Sequence, residues 1–330
     1  MAGSDQSAAV QAIRGLDQLW QRCAPGQAPA PLTRHDRLLV DLLGLGIGQV
    51  LDHLFQQRPT FEQFAGWIAV TAGLPDPVRV ERYHALLDGA PVPPAAQARI
   101  AALEAAPAVL DAADMAFWEQ HGFVVLRQAI SAAEAEAAAR VMWDHIGASP
   151  DDPASWYADP ARGLWFPLWQ APELDVARRS PRVHKAFAQI WGTGDLWGNV
   201  DRMSFNQPVR DDCPFLGSAL HIDTSMAPPM PLGTQAIIYL TDTPADHGPL
   251  QVLPGFHRDY DAWFAALDGQ DPRGVDLTAG TVPVPGMAGD MVIWHHALPH
   301  GATPNHGAFP RIVQYLNMAP PGVVDERPWI

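Results

Sequence analysis

Beyond about residue 195 the chain breaks into short apolar or alternating runs: TQAIIYLTD, GPLQVLPG, GTVPVPG, GDMVIWHH and RIVQYLNMA. Gly, Pro or Asp punctuates them. Side chains alternate across a strand with a period of two, so runs of this length and punctuation predict β-strands joined by tight turns. Strands this numerous must pair their edges and bury their apolar faces against one another, which predicts a β-sandwich or barrel. The 33 Pro and 27 Gly suit such a turn-rich fold better than a helical bundle.

The first 110 residues obey a different period. Leu38, Leu39, Leu42, Leu43, Val50, Leu51 and Leu54 recur in steps of three and four, and TFEQFAGWIAV repeats the pattern, so this part is expected to be helical. Thr60 with Gln63 has capping-box spacing, as does Ser131 with Glu134 ahead of a helix in SAAEAEAAARVMWDHIG. Pro-rich pieces (PGQAPAPL and DGAPVPPAA) separate the helices, and the Ala-rich stretch from Ala95 to Ala113 is expected to be one connecting helix. GFVVLRQAI reads as the first strand of the β-rich part. The expected division is a helical segment over 1–112 and a β-rich domain over 113–330, with the helical part covering the barrel or mediating a homodimer.

With 21 basic residues against 36 acidic, the formal net charge of −15 disfavours nucleic acid or an anionic membrane surface as partner. Lys185 is the only lysine, and its setting, RVHKAF, fits neither a phosphate-binding loop nor a Schiff base. Cys23 and Cys213 stand alone, without a CxxC pattern, which argues against a disulfide framework or a thiolate zinc site. The start, MAGSDQSAAV, lacks the basic and apolar regions of a signal peptide, and Asp41, Gln49 and Asp52 interrupt the most apolar run. The expectation is a cytoplasmic protein that acts on a small molecule.

The candidate chemistry starts at LHIDTS. If His221 and Asp223 lie in extended chain, both face one side and Ile222 packs on the other. An imidazole and a carboxylate on one face are two-thirds of the two-His-one-carboxylate triad that suits non-haem Fe(II), with three positions left open. A third ligand can come from GDMVIWHHALPHGATPNHGAFPR, where His295, His296, His300 and His306 crowd together and Arg311 opens a new strand. A guanidinium presents a planar fork that holds a carboxylate bidentately.

Three blocks, the HxD at 221–223, GPLQVLPGFHR at 248–258 and the stretch from Gly289 to Arg311, together resemble the phytanoyl-CoA dioxygenase family of Fe(II)/2-oxoglutarate oxygenases. FWEQHGFVVLRQAISAAEAEAAARV resembles the opening of that family, so the likeness runs over about 115–320. It implies an α+β fold with a double-stranded β-helix (jelly-roll, cupin-like) core, flanking helices and an extra N-terminal helical segment. It implies His221, Asp223 and His300 as iron ligands, and Arg311, 11 residues after His300, as the partner of the distal carboxylate of 2-oxoglutarate. His295 and His296 match non-ligand positions. In GPLQVLPGFHR, Gly248 and Gly255 are expected to permit turns and His257 to be a packing residue.

The implied activity is hydroxylation of a small organic molecule, for example a natural-product intermediate, consuming O2 and 2-oxoglutarate and releasing succinate and CO2. Asp223 favours this over halogenation, because related halogenases lack that carboxylate. Two departures stand out. Ala302 occupies a position where the family often has Ser, so Thr303 or Tyr315 is expected to replace its hydroxyl. Ile222 stands where Gln is frequent, which leaves Asn206 or Gln235 to assist the metal-proximal carboxylate. Aromatic residues over 155–210 (Trp156, Tyr157, Trp165, Phe166, Trp169, Trp191 and Trp197) and SMAPPM are candidates for an apolar substrate wall or for core. Two other readings stay open: a cupin-like isomerase or hydrolase that does not use 2-oxoglutarate, and a non-catalytic binding protein on the same fold.

Overall fold

The computed structural model describes residues 2–23, 32–159, 163–217, 219–323, 325 and 327–330. Most of the PGQAPAPL stretch lies outside these residues. The first 105 residues form helices Ala2–Gln11, Leu16–Arg22, Arg34–Leu42, Ile47–Gln57, Phe61–Thr71, Pro77–Leu87 and Pro94–Ala105. Capping boxes at Thr33–Asp36 and Thr60–Gln63 satisfy the first N–H groups of two of them, each worth about 1 kcal/mol. Leu39, Leu43, Leu54, Phe64 and Ile68 close a separate apolar core among these helices. No single helix among the described residues is long and apolar enough to cross a membrane.

The Ala-rich stretch is not one helix. It ends at Ala105, Pro107 cannot continue it, and a new helix, Ala112–His121, starts behind the Asp111 cap. The break is held to the rest of the fold by Gln189, whose side chain accepts from the N–H groups of Val109 and Leu110 and donates to the Leu110 carbonyl. Lys185 has a structural task, donating to the last carbonyls of the preceding helix at Leu103 and Glu104.

Eleven strands follow among the described residues: β1 (Phe123–Leu126), β2 (Trp165–Phe166), β3 (Trp197–Gly198), β4 (Met203–Asn206), β5 (Thr234–Tyr239), β6 (Leu250–Val252), β7 (Val282–Val284), β8 (Met291–His295), β9 (His300–Ala302), β10 (Arg311–Leu316) and β11 (Met318–Ala319). Six form an antiparallel sheet in the order β1-β8-β5-β10-β4-β2, and three form a second sheet in the order β7-β6-β9. The five runs read as strands from the sequence are strands, as is the start of GFVVLRQAI. The LHIDTS segment is reduced to one bridge, where His221 exchanges both backbone hydrogen bonds with His300.

Alternation gives each long strand of the large sheet two different faces. Ala236, Ile238, Ile293, Ile312 and Leu316 pack outward against helices Ala132–Ile146, Pro172–Arg179 and Pro181–Trp191. Ile237, Tyr239, Val292, Trp294 and Val313 point the other way, onto Leu250, Val252 and Val284 of the small sheet. The two sheets therefore enclose one interior, and inward positions at the strand ends line its open part. Gly248 turns the chain into β6 at φ +69°. A Cβ there would collide with the Asn206 amide nitrogen, so both the backbone angle and the space require glycine.

Candidate active site

The β6-β9 pairing and the His221–His300 bridge bring the HxD segment beside β9, so residues 221 and 300 become neighbours despite their separation in sequence. Their rings lie 4.6 Å apart. His221 Nε2 is 3.4 Å from one Asp223 oxygen, and His300 Nε2 is 3.3 Å from the other. Each Nδ1 faces a backbone carbonyl, Ala219 at 2.8 Å and Leu298 at 2.9 Å, so Nδ1 carries a proton in both rings. Nε2 is the atom turned toward Asp223, donating to it when protonated and free to offer its lone pair once a metal displaces that proton. Bonds of about 2.1 Å at right angles place neighbouring ligand atoms about 3 Å apart. The three ligand atoms, all within 4.8 Å of one another, fit one octahedral face. His300 is the first residue of β9.

Partial desolvation pushes the Asp223 carboxyl up, but the hydrogen bond and charge of His300, then His221 and Gln235, outweigh it and hold the group well below the usual carboxylate range. Gln235 is fixed at both ends: its nitrogen donates to Asp223 Oδ2 at 2.7 Å, and its oxygen accepts from Trp294 Nε1 at 3.1 Å. The two residues face each other across β5 and β8, on the inward side with Ile237 and Tyr239.

A cavity of about 640 Å³ opens over the triad, walled also by Trp165, Gln235, Trp294, Ala302, Arg311 and Tyr315. Arg311 is 1% exposed, and its Nη2 donates to Ser204 Oγ at 3.0 Å. Its Nε has no hydrogen-bond partner, and no carboxylate lies within salt-bridge distance among the described residues. Burial pulls this guanidinium below the usual arginine value, while Tyr315 and Tyr239 push it back up. A buried cation without a counter-ion is costly, and an anion entering the cavity relieves that cost.

The other expected site residues divide. Tyr315 lines the cavity, with its hydroxyl accepting from Trp165 Nε1. Asn206 is not part of the wall: it donates to the Thr303 carbonyl, and the Thr303 hydroxyl donates in turn to the Pro249 carbonyl. These two residues tie the β9–β10 loop to its neighbours. His295 is buried and accepts from the Ala297 N–H, pulled down to about 3 by burial and the neighbouring His296 and His257. His296 bonds to the Pro231 carbonyl. His257 packs on His295 with its Nε2 toward the Glu119 carbonyl.

Of the seven aromatic candidates only Trp165 borders this cavity. Trp156 and Phe166 belong to the core, Trp191 donates to the Met318 carbonyl, and Trp197 packs into the N-terminal helices. Met226 is buried beneath the site with Ile222 and Tyr260, so SMAPPM does not line the cavity. Sequence reasoning missed Ser204, Trp294, Asn199, Asp201 and Arg202. Trp294 carried a signal, since strand alternation in GDMVIWHH places it inward with Val292.

Two His and one carboxylate placed as for an octahedral face, beside a buried arginine with no carboxylate partner among the described residues, have the donor set of a non-haem iron oxygenase that uses a 2-oxo acid. The chain belongs to the phytanoyl-CoA dioxygenase (PhyH) family, matching it over residues 118–313. It is an oxygenase-type enzyme that uses Fe(II), 2-oxoglutarate and O2. A Dictyostelium discoideum protein whose name places it among the phytanoyl-CoA dioxygenases is 22% identical over 268 residues, which is 63% of this chain and 75% of that one. The carbocyclase SnoK from nogalamycin biosynthesis, described as non-haem and α-ketoglutarate-dependent, has a TM-score of 0.45 and 22% identity over 66% of this chain and 89% of its own. EctD from S. alaskensis has a TM-score of 0.46 and 19% identity over 64% and 78%.

Proposed function

We propose that the chain is a 2-oxoglutarate-dependent hydroxylase in which His221, Asp223 and His300 bind Fe(II) and Arg311 binds the distal carboxylate of the co-substrate. The observation that carries this reading is the buried guanidinium of Arg311, without a carboxylate partner among the described residues, on the wall of the triad cavity. The strand order supports a jelly-roll core: β4, β10, β5 and β8 neighbour one another in one sheet, and β7, β6, β9 and the His221 bridge follow one another in the other.

Iron and 2-oxoglutarate bound here supply the oxidising power: a substrate C–H becomes C–OH while O2 and 2-oxoglutarate become succinate and CO2. The chain orients the parts. Gln235 holds the Asp223 carboxylate, with Trp294 keeping the amide in that sense. Ser204 holds the Arg311 fork. A cavity of about 640 Å³ is large enough for a co-substrate and a small organic molecule together. Trp165 and Tyr315 form its aromatic side, where the substrate would lie.

The test is succinate formation from 2-oxoglutarate by the full chain with Fe(II) in air, followed by NMR. We expect slow turnover even without substrate, lost in Asp223→Ala; no succinate from well-folded protein would remove the proposal.

A further inference from the structure

The triad cavity shares part of its wall with a neighbouring cleft. Asn199, Asp201, Arg202 and Asn317 border it on one side and a second cleft of about 410 Å³ on the other. That cleft shares Asp41, Asn199 and Val200 with a third, of about 390 Å³, between the N-terminal helices and the β domain. The three spaces adjoin one another along the segment 199–202, and residues of the N-terminal helices, Arg79 among them, wall the third.

The far cleft is unusual for a chain of net charge −15. Five arginines line it: Arg79, Arg82, Arg99, Arg178 and Arg179. Four are within ion-pair distance of carboxylates, Arg82 of Asp195, Arg99 of Asp76, and Arg178 and Arg179 of one shared Asp175. Two retain capacity. Arg178 is 9% exposed, and although it reaches Asp175 and the Asp201 carbonyl, its buried Nε has no partner. Arg79 forms no ion pair within 4 Å among the described residues. Its one hydrogen bond there, of 3.3 Å, runs to the backbone carbonyl of Asp41. The Trp197 ring lies under both Arg79 and Arg82, at 5.2 and 4.7 Å, and restrains their guanidiniums. Burial pushes the Asp41 carboxyl, on the same wall, up to about 7, so near neutrality it carries only part of a charge to set against these cations. Val78, Ile100, Leu103, Leu196 and Met318 supply an apolar lining around them.

We propose that this cleft is an anion subsite in which Arg79 and Arg178 hold a carboxylate or phosphate group. Taken with the hydroxylase reading, on which this step rests, the substrate is an organic anion whose oxidisable end lies over the triad. The N-terminal segment is then part of the substrate site, through Arg79, rather than an external cover.

Binding is tested without turnover, so the result is independent of iron and 2-oxoglutarate. Inorganic phosphate and o-phthalate are titrated into the full chain by calorimetry, at ionic strength matched with chloride, in wild type, Arg79→Gln, Arg79→Lys and Arg311→Met. We expect saturable binding of at least one probe, weakened roughly 10-fold or more in Arg79→Gln, as for loss of one charge-assisted hydrogen bond. Arg79→Lys restores part of it, and this Arg79-dependent binding persists in Arg311→Met, which removes only binding at the co-substrate arginine. Binding of phosphate alone marks a phosphate ester, and of phthalate alone a carboxylate. No saturable binding of either probe to wild type, binding unaffected in Arg79→Gln, or binding lost in Arg311→Met overturns the subsite; none of these touches the hydroxylase reading, which depends on succinate formation.

Discussion

Arg311 and Ser204 meet across the β4–β10 pair, guanidinium to hydroxyl at 3.0 Å, and this one side-chain bond fixes a buried cation facing the triad cavity. Replacing Arg311 by Met separates function from stability. The variant is expected to raise KM for 2-oxoglutarate roughly 10- to 100-fold through loss of a charge-assisted pair. The protein without ligands is expected to melt no lower than wild type, since an unpaired buried charge has gone. Steady-state kinetics and thermal melting check the two halves; a clear fall in melting temperature with unchanged KM would make Arg311 a structural residue.

Asp223→Ala removes the only carboxylate of the metal group. Iron binding is expected to weaken and hydroxylation to be lost, read by anaerobic Fe(II) titration and product analysis. Unchanged turnover would mean that another carboxylate serves the metal.

Gln235→Leu keeps approximate size but leaves Asp223 without its 2.7 Å donor. Partners that orient ligands typically contribute 10- to 100-fold in metal affinity, so a loss of roughly that size is expected with the fold intact. Trp294→Phe, which frees the far end of the same amide, should produce a smaller loss in the same direction. Equal iron affinity in Gln235→Leu and wild type would show that the carboxylate needs no such support.

Asp41 gives a pH prediction. Its folded value, about 7, lies above the unfolded one, so between about pH 4 and 7 the native state holds more protons than the unfolded chain. Its contribution to stability therefore falls as pH rises through that window and is constant above it. Asp41→Asn should remove the penalty, narrowing the difference between urea stability at pH 5 and pH 8 by roughly 2–4 kcal/mol. An identical pH dependence in the variant would place Asp41 in a better-solvated setting.

How much of the fold and site was legible in the sequence depends on what each residue needs. His221, Asp223, His300 and Arg311 sit in blocks whose order and spacing carry the resemblance, and the fold brings all four to one cavity. The long strands were readable because TQAIIYLTD and RIVQYLNMA alternate over enough residues to show a period. β4 and β9 were not read as strands, so Ser204 on β4 went unseen even though it orients Arg311. Asn206 and Thr303 were expected at the co-substrate, yet Asn206 donates to the Thr303 carbonyl and the Thr303 hydroxyl to the Pro249 carbonyl, a requirement set by tertiary packing alone. Arg79 was likewise hidden, because only the docking of the N-terminal helices places it opposite Arg178 in one cleft.

The central claim, that the triad and Arg311 together hold iron and 2-oxoglutarate, is tested most directly by adding Fe(II) and then 2-oxoglutarate to the full chain without oxygen and recording the visible spectrum. The account predicts a weak metal-to-ligand charge-transfer band that saturates at one equivalent of iron, is lost in Asp223→Ala, and needs much more 2-oxoglutarate in Arg311→Met. A well-folded wild-type protein that shows no such band at saturating concentrations would contradict it.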